Sequence, residues 1–149
     1  LPPGDYTVVQ SLPSGYQAVT SLSVPVTLIA GDLQTVNFVD EQLGSISGSV
    51  FAESLTGSPM DNILIELLDE NGDPVLDDNL DPIIRLTDTN GAYSFADLPP
   101  GSYQIRQTVP STHLAIDDID GGLLTVNGDV TPILLSAGAD ITNQDFVNA

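Results

Sequence analysis

Almost every side chain in this sequence that could do chemistry is a carboxylate. Asp and Glu number 21 against two Arg, Arg85 and Arg106, with no Lys, no Cys and a single His, His113. Thiol nucleophiles, disulfides and cysteine zinc sites are therefore excluded. His113, in "PSTHLAI", has no second imidazole for a metal and no Ser and Asp context for a triad, and neither a G-x-S-x-G elbow nor a phosphate-cradling glycine loop occurs. Carboxylate pairs that cleave glycosides need a cleft that raises one pKa, which small domains seldom form. The sequence reads as non-enzymatic.

What clustered carboxylates can do is share a hard cation, provided that roughly six to eight oxygens converge on it. Asp117, Asp118 and Asp120 in "IDDIDGG" are the first candidate for Ca2+, and Asp77, Asp78 and Asp81 in "LDDNLDP" the second. Each set needs further oxygens from elsewhere, and a solvated loop is the alternative reading. "DENGDP" and "DTNG" read instead as turns in which Asp69, Asn71, Asp88 and Asn90 bond their own backbone. Ca2+ is the only cofactor expected. A net charge of −19 repels phosphate backbones and anionic lipid, so nucleic acid is excluded as a partner. No run approaches the ~18–20 apolar residues of a membrane span, and no basic segment leads into an apolar one at the start. Direct membrane insertion is not expected, and any signal or anchor would lie outside these residues.

The elements that must carry these side chains are strands. Hydrophobic residues make up 41% of the chain but aromatics only 5%, so the apolar content is Val, Ile and Leu in short runs split by Gly, Pro, Asn and Asp. From Gly44, "GSISGSVFAES" places Ile46, Gly48 and Val50 on one face and serines on the other. "NILIELLDENGDPV" follows with Ile63, Ile65 and Leu67 in step and an Asn71-Gly72 turn. Three strands are expected in "IIRLTDTNGAYSFADLPPGSYQIRQTVP", then a polar Asp-rich loop, then two short strands around Gly138. No stretch has a helical period. About seven strands with frequent turns specify an all-β, immunoglobulin-like Greek-key sandwich.

The opening residues repeat part of that unit. "LPPGDYTVVQSLPSGY" at Leu1 aligns without a gap to "LPPGSYQIRQTVPSTH" at Leu98, and "PVTLIAGDLQTVNFVDEQ" aligns to "PILLSAGADITNQDFVNA" with one insertion. Residues 1–42 are expected to be the last three strands of one such sandwich, and 43–149 a complete second one. The inner face of the first, with Tyr6, Val8, Val26, Leu28 and Phe38, then needs a cover, supplied by the same polypeptide or by a neighbour. Tyr93, Phe95 and Tyr103 are expected in the core rather than on a sugar-stacking platform.

At "GSISGSVF", "LTDTNGAYSFADLPPGSYQI" and "DITNQDF" the chain resembles the B-type repeats of bacterial surface adhesins, of both the Cna and the SdrD type, and more loosely carboxypeptidase regulatory-like domains. The resemblance implies tandem seven-stranded sandwiches in an extracellular or cell-surface stalk, with a mechanical role and, in many members, bound calcium. Some members carry a Lys-to-Asn isopeptide bond, which this lysine-free chain cannot form. The SdrD-type calcium loop falls on "FAESLTGSPMDN", where only Glu53 and Asp61 are carboxylates, so that site looks degraded. Three functions stay open: a structural repeat of a fibre or adhesin stalk, with neighbouring repeats or identical subunits as partners; a filament subunit completed by a neighbour's strands; and a binding module for glycan or protein.

Overall fold

The computed structural model describes residues 1–118 and 129–149, and its regular structure is entirely β. Two small ladders come first. β1 (Gly4–Val9) pairs antiparallel with β3 (Ser23–Leu28), and β2 (Tyr16–Ala18) pairs antiparallel with β4 (Asp40–Gln42).

A sandwich follows, organised by β5 (Gly44–Ala52). The alternation in "GSISGSVFA" buries Ile46 and Val50 on one face, with Gly48 between them. Between β5 and its sheet partners the chain lays down β6 (Leu64–Asp69) and β7 (Ile84–Leu86). β8 (Ala92–Leu98) then pairs antiparallel with one edge of β5, Ile46 opposite Phe95 and Gly48 opposite Tyr93. β9 (Gly101–Gln107) returns to β6, and β11 (Asp129–Leu135) pairs with β9, which gives a second sheet of order β11, β9, β6, β7. The free edge of β5 receives β12 (Asp140–Ile141) and β13 (Phe146–Asn148), both parallel to it, and β10 (Ala115–Asp118) lines β13. Ile46, Val50, Phe95 and Phe146 from one sheet meet Ile65, Leu67, Ile105 and Leu135 from the other, all buried. Each such side chain contributes about 1.5–3 kcal/mol by leaving water. The architecture is the immunoglobulin-like sandwich expected.

Strand detail departs from the expected seven: β5 to β13 are nine segments among the described residues. β10 lies in the stretch that reads as a polar loop, because its aspartates mask the alternation. The closing run is cut into β12 and β13 where Asn143 takes a left-handed φ of 59° and Asp145 turns its carboxylate onto the Ser49 amide.

Three turns share one device. The Oδ1 of Asp69 accepts the amides of Asn71 and Asp73 at 2.8 and 3.0 Å, Asp77 those of Asn79 and Asp81 at 2.8 and 3.1 Å, and Asp88 those of Asn90 and Ala92 at 2.8 and 2.9 Å. These amides hold each carboxyl below its ordinary pKa, the bond from Asp73, Asp81 or Ala92 being the largest cause in turn.

Candidate functional site

No catalytic constellation emerges from the described residues; what emerges is a seam between the first and last strands of the sandwich. Ser45 stands opposite Asp140 and Ile46 opposite Ile141, and farther along Val50, Phe51 and Ala52 stand opposite Phe146, Val147 and Asn148. Between these ladders the Gln144 amide donates to Ser47 O at 3.0 Å, the Ser49 amide to Asp145 Oδ1 at 2.8 Å, and the Ser45 hydroxyl to Asp140 Oδ1 at 2.6 Å. The Glu53 amide closes the far end on Asn148 O at 2.7 Å. Gly48 permits the approach, since a Cβ there would collide with the Gln144 carbonyl. The Tyr93 hydroxyl donates to that same carbonyl. Burial, with the Asp145 charge as a lesser cause, pushes the Tyr93 phenol far above its ordinary pKa, so it serves as a neutral donor.

The direction of the strands matters mechanically. The chain enters the sandwich at the Gly44 end of β5 and reaches Asn148 beside Ala52, at the opposite end of the same strand. Tension applied through the two ends of the sandwich therefore slides β5 along β12 and β13. All the seam bonds are loaded together rather than one after another.

The strand before the sandwich is coupled to this seam. Only Leu43 separates β4 from β5, and its amide donates to Gly15 O at 2.9 Å. The Gly138 amide donates to Gln42 O at 3.1 Å and the Ser45 amide to Ala139 O at 3.0 Å. Gly138 has a φ of 67° and lies against the Gln42 side chain, so a Cβ is disfavoured there by both conformation and space.

The N-terminal ladders reproduce much of the register of the sandwich, up to the irregularity between Val130 and Ile133 that β1 and β3 lack. Gly4 faces Leu28 and Tyr6 faces Val26, as Gly101 faces Leu135 and Tyr103 faces Ile133. Ala18 faces Asp40 as Ala115 faces Asn148. The Tyr6 hydroxyl donates to Pro2 O at 2.8 Å, and the Tyr103 hydroxyl to Pro99 O at 2.8 Å. Gln107 and Asn148, both buried, exchange amide bonds of 3.1 and 3.0 Å. Gln10 repeats the arrangement against Asp40, but a carboxylate has no N–H to return, and Gln10 Oε1 and Asp40 Oδ1 are left buried without a donor. Sequence reasoning missed this pair. Its signal was the Gln at the same place in "YTVVQ" and "YQIRQ".

The acidic candidates fall differently. Asp117 and Asp118 sit on β10, facing Val147 and Phe146 in the ladder, whereas Asp120 lies outside the described residues. Asp77 is the turn acceptor for Asn79 and Asp81, and Asp78 follows it at the exposed turn. No group of three or more His, Asp or Glu side chains that could hold a metal occurs among the described residues, Asp77, Asp78 and Asp81 included. The His113 ring Nδ1 is 2.9 Å from the Thr112 hydroxyl. Tyr93, Phe95 and Tyr103 are core residues, 5%, 0% and 8% exposed, which leaves no aromatic platform from them.

No protein-family model matches the chain. Over 54 residues it is 39% identical to Colossin-A of Dictyostelium discoideum, a match that takes in 36% of this chain and, rounded, 0% of that protein. Among solved structures, the Bacillus anthracis TIE protein matches over 99% of this chain and 25% of its own, at 18% identity and a TM-score of 0.54. GBS52, the minor pilin of Streptococcus agalactiae, matches over 93% of this chain and 62% of its own, at 13% identity and a TM-score of 0.51. The group B streptococcus pilus 2b backbone protein matches over 99% and 52%, at 14% identity and a TM-score of 0.51. The chain thus spans under two thirds of each, and the likeness is one of fold alone: this is an immunoglobulin-like β-sandwich.

Proposed function

We propose that this chain is a non-enzymatic, force-bearing part of an extracellular fibre or cell-surface stalk, built from tandem sandwiches of which residues 1–42 are the closing strands of one and 43–149 the whole of the next. The observation that carries the reading is the parallel seam between β5 and β12–β13, because it places the chain's entry and exit where tension shears the ladder. Repetition of the Gly4–Leu28 and Gly101–Leu135 registers supports the tandem arrangement, since one unit's closing strand runs into the next unit's β5 through Leu43 alone. The fold likeness to a minor pilin and a pilus backbone protein fits the same role. No helix among the described residues is long and apolar enough to cross a membrane.

Calcium at Asp117, Asp118 and Asp120, as in the SdrD-type repeats this sequence resembles, is part of the proposal. At Asp77, Asp78 and Asp81 the case is weaker, because one Asp77 oxygen already serves two backbone amides.

The test is the mass and oligomeric state of the native, gently extracted protein, by intact mass spectrometry with light scattering, with and without a calcium chelator. The proposal expects these residues within a single chain far heavier than 15.6 kDa; a polymer of 15.6 kDa chains would instead favour a filament subunit whose residues 1–42 are completed by a neighbour. A monodisperse particle of 15.6 kDa would overturn it.

A further inference from the structure

The ladders of residues 1–42 present, uncovered, the surfaces that their counterparts in the sandwich keep covered. Ile105 is 0% exposed under β6 while its counterpart Val8 is 39% exposed, and Val147 is 1% exposed beside β5 while Val39 is 52% exposed. The loops at the two matching glycines differ as well. In the sandwich, the loop at Gly138 holds Gln42, and a Cβ built on Gly44 would crowd Leu135. At the matching place Gly31 also has a left-handed φ, 82°, with nothing within 4 Å of a Cβ built on it. Beside it Leu28, Ile29 and Leu33 line a cavity of about 380 Å³.

We propose that residues 1–42 form an acceptor for a polypeptide with the pattern of β5 and β6. The register follows from the sandwich. A β5-like strand lies parallel to residues 38–40, placing Val50-type and Phe51-type side chains beside Phe38 and Val39. A β6-like strand lies antiparallel to β1, placing Leu67-type opposite Val8 and Ile65-type opposite Gln10. The entering turn of the β5-like strand fills the cavity at Gly31. A second folded copy of this chain is not the donor. Its own β5 and β6 hold Ile46, Val50, Ile65 and Leu67 at 0% exposure, and lending them would open its core. The occupant is therefore an additional segment of this chemistry, and its recognition is by strand addition.

This inference rests on the tandem reading above, and its test does not use native mass, so the two can fail separately. A synthetic peptide of residues 43–69 is titrated into the full 149-residue chain, with binding followed by fluorescence anisotropy and backbone protection by hydrogen exchange. Saturable one-to-one binding is expected, with exchange slowed at residues 4–9 and 38–42. Both partners are acidic, so added salt strengthens the association. Val8→Asp in the chain weakens binding by roughly tenfold or more, since it buries an unpaired charge. Val39→Asp does the same from the other edge, and both positions are exposed enough to leave the chain folded. A peptide carrying Ile65→Asp and Leu67→Asp does not bind. Absence of binding, protection confined to residues 43–149, or indifference to both chain variants would each overturn the proposal.

Discussion

The buried amide pair Gln107–Asn148 shows how much one proton donor decides. Gln107→Leu leaves Asn148 Oδ1 without its donor and Nδ2 with only the weak Met60 Sδ acceptor, and lowers stability by about 1–3 kcal/mol, measured by denaturant unfolding. Asp40→Asn does the reverse: it supplies Gln10 Oε1 with the missing N–H and slows amide exchange along β2 and β4. The turn aspartates carry a pH signature. Asp69, Asp77 and Asp88 have folded pKa values below the ordinary 3.8, so they contribute stability above that pH, and the contribution is lost as pH falls through the lowered values. The melting difference between the native chain and Asp77→Ala is therefore expected to be largest near neutral pH and to vanish in strong acid. Relief of repulsion among the other carboxylates acts on both proteins alike and cancels in that difference.

At the scale of elements, the seam depends on β5 approaching the 142–145 segment without a side chain in the way. Gly48→Val drives a branched side chain into the Gln144 carbonyl and the Tyr93 hydroxyl, and is expected to cost at least about 3 kcal/mol, or to prevent folding outright, by thermal melting. Tyr93→Phe keeps the ring's packing and removes only its bond to Gln144, a loss of about 1–2 kcal/mol. Much of this was legible in the sequence. Ile46, Val50, Ile65, Leu67 and Phe95 alternate cleanly, and Asn71-Gly72 and Asn90-Gly91 punctuate them, so β5, β6 and β8 could be placed by period alone. β10 was not legible, because Asp117 and Asp118 occupy strand positions that pattern reading assigns to solvent. The seam was not legible either. Parallel pairing of strands far apart in sequence leaves no local mark, and Gly48 reads equally well as an ordinary weak spot in a strand. The Gln–Asn pair went unseen for a related reason: its partners meet only once the two ends of the unit are brought together.

For the molecule as a whole, the role we propose is to carry tension. In that role the joint through Leu43, tied to Gly15 on one side and, through Gln42, to Gly138 on the other, would pass load from β4 directly into β5. Calcium enters at this scale too: if Asp117, Asp118 and Asp120 hold the ion, millimolar Ca2+ raises the melting temperature and a chelator restores it, while Asp118→Asn abolishes the shift. An unchanged melting temperature removes calcium from the account and leaves the seam intact. The most direct test of the central claim is single-molecule pulling of the 149-residue chain in two geometries. In one, handles at Gln42 and Ala149 shear the seam; in the other, handles at Gln42 and Leu98 peel β5 from β8, whose antiparallel Gly44–Leu98 end opens first. A severalfold higher unfolding force is expected in the first geometry, in one step that releases roughly 350 Å of chain. Equal forces in the two geometries would contradict it.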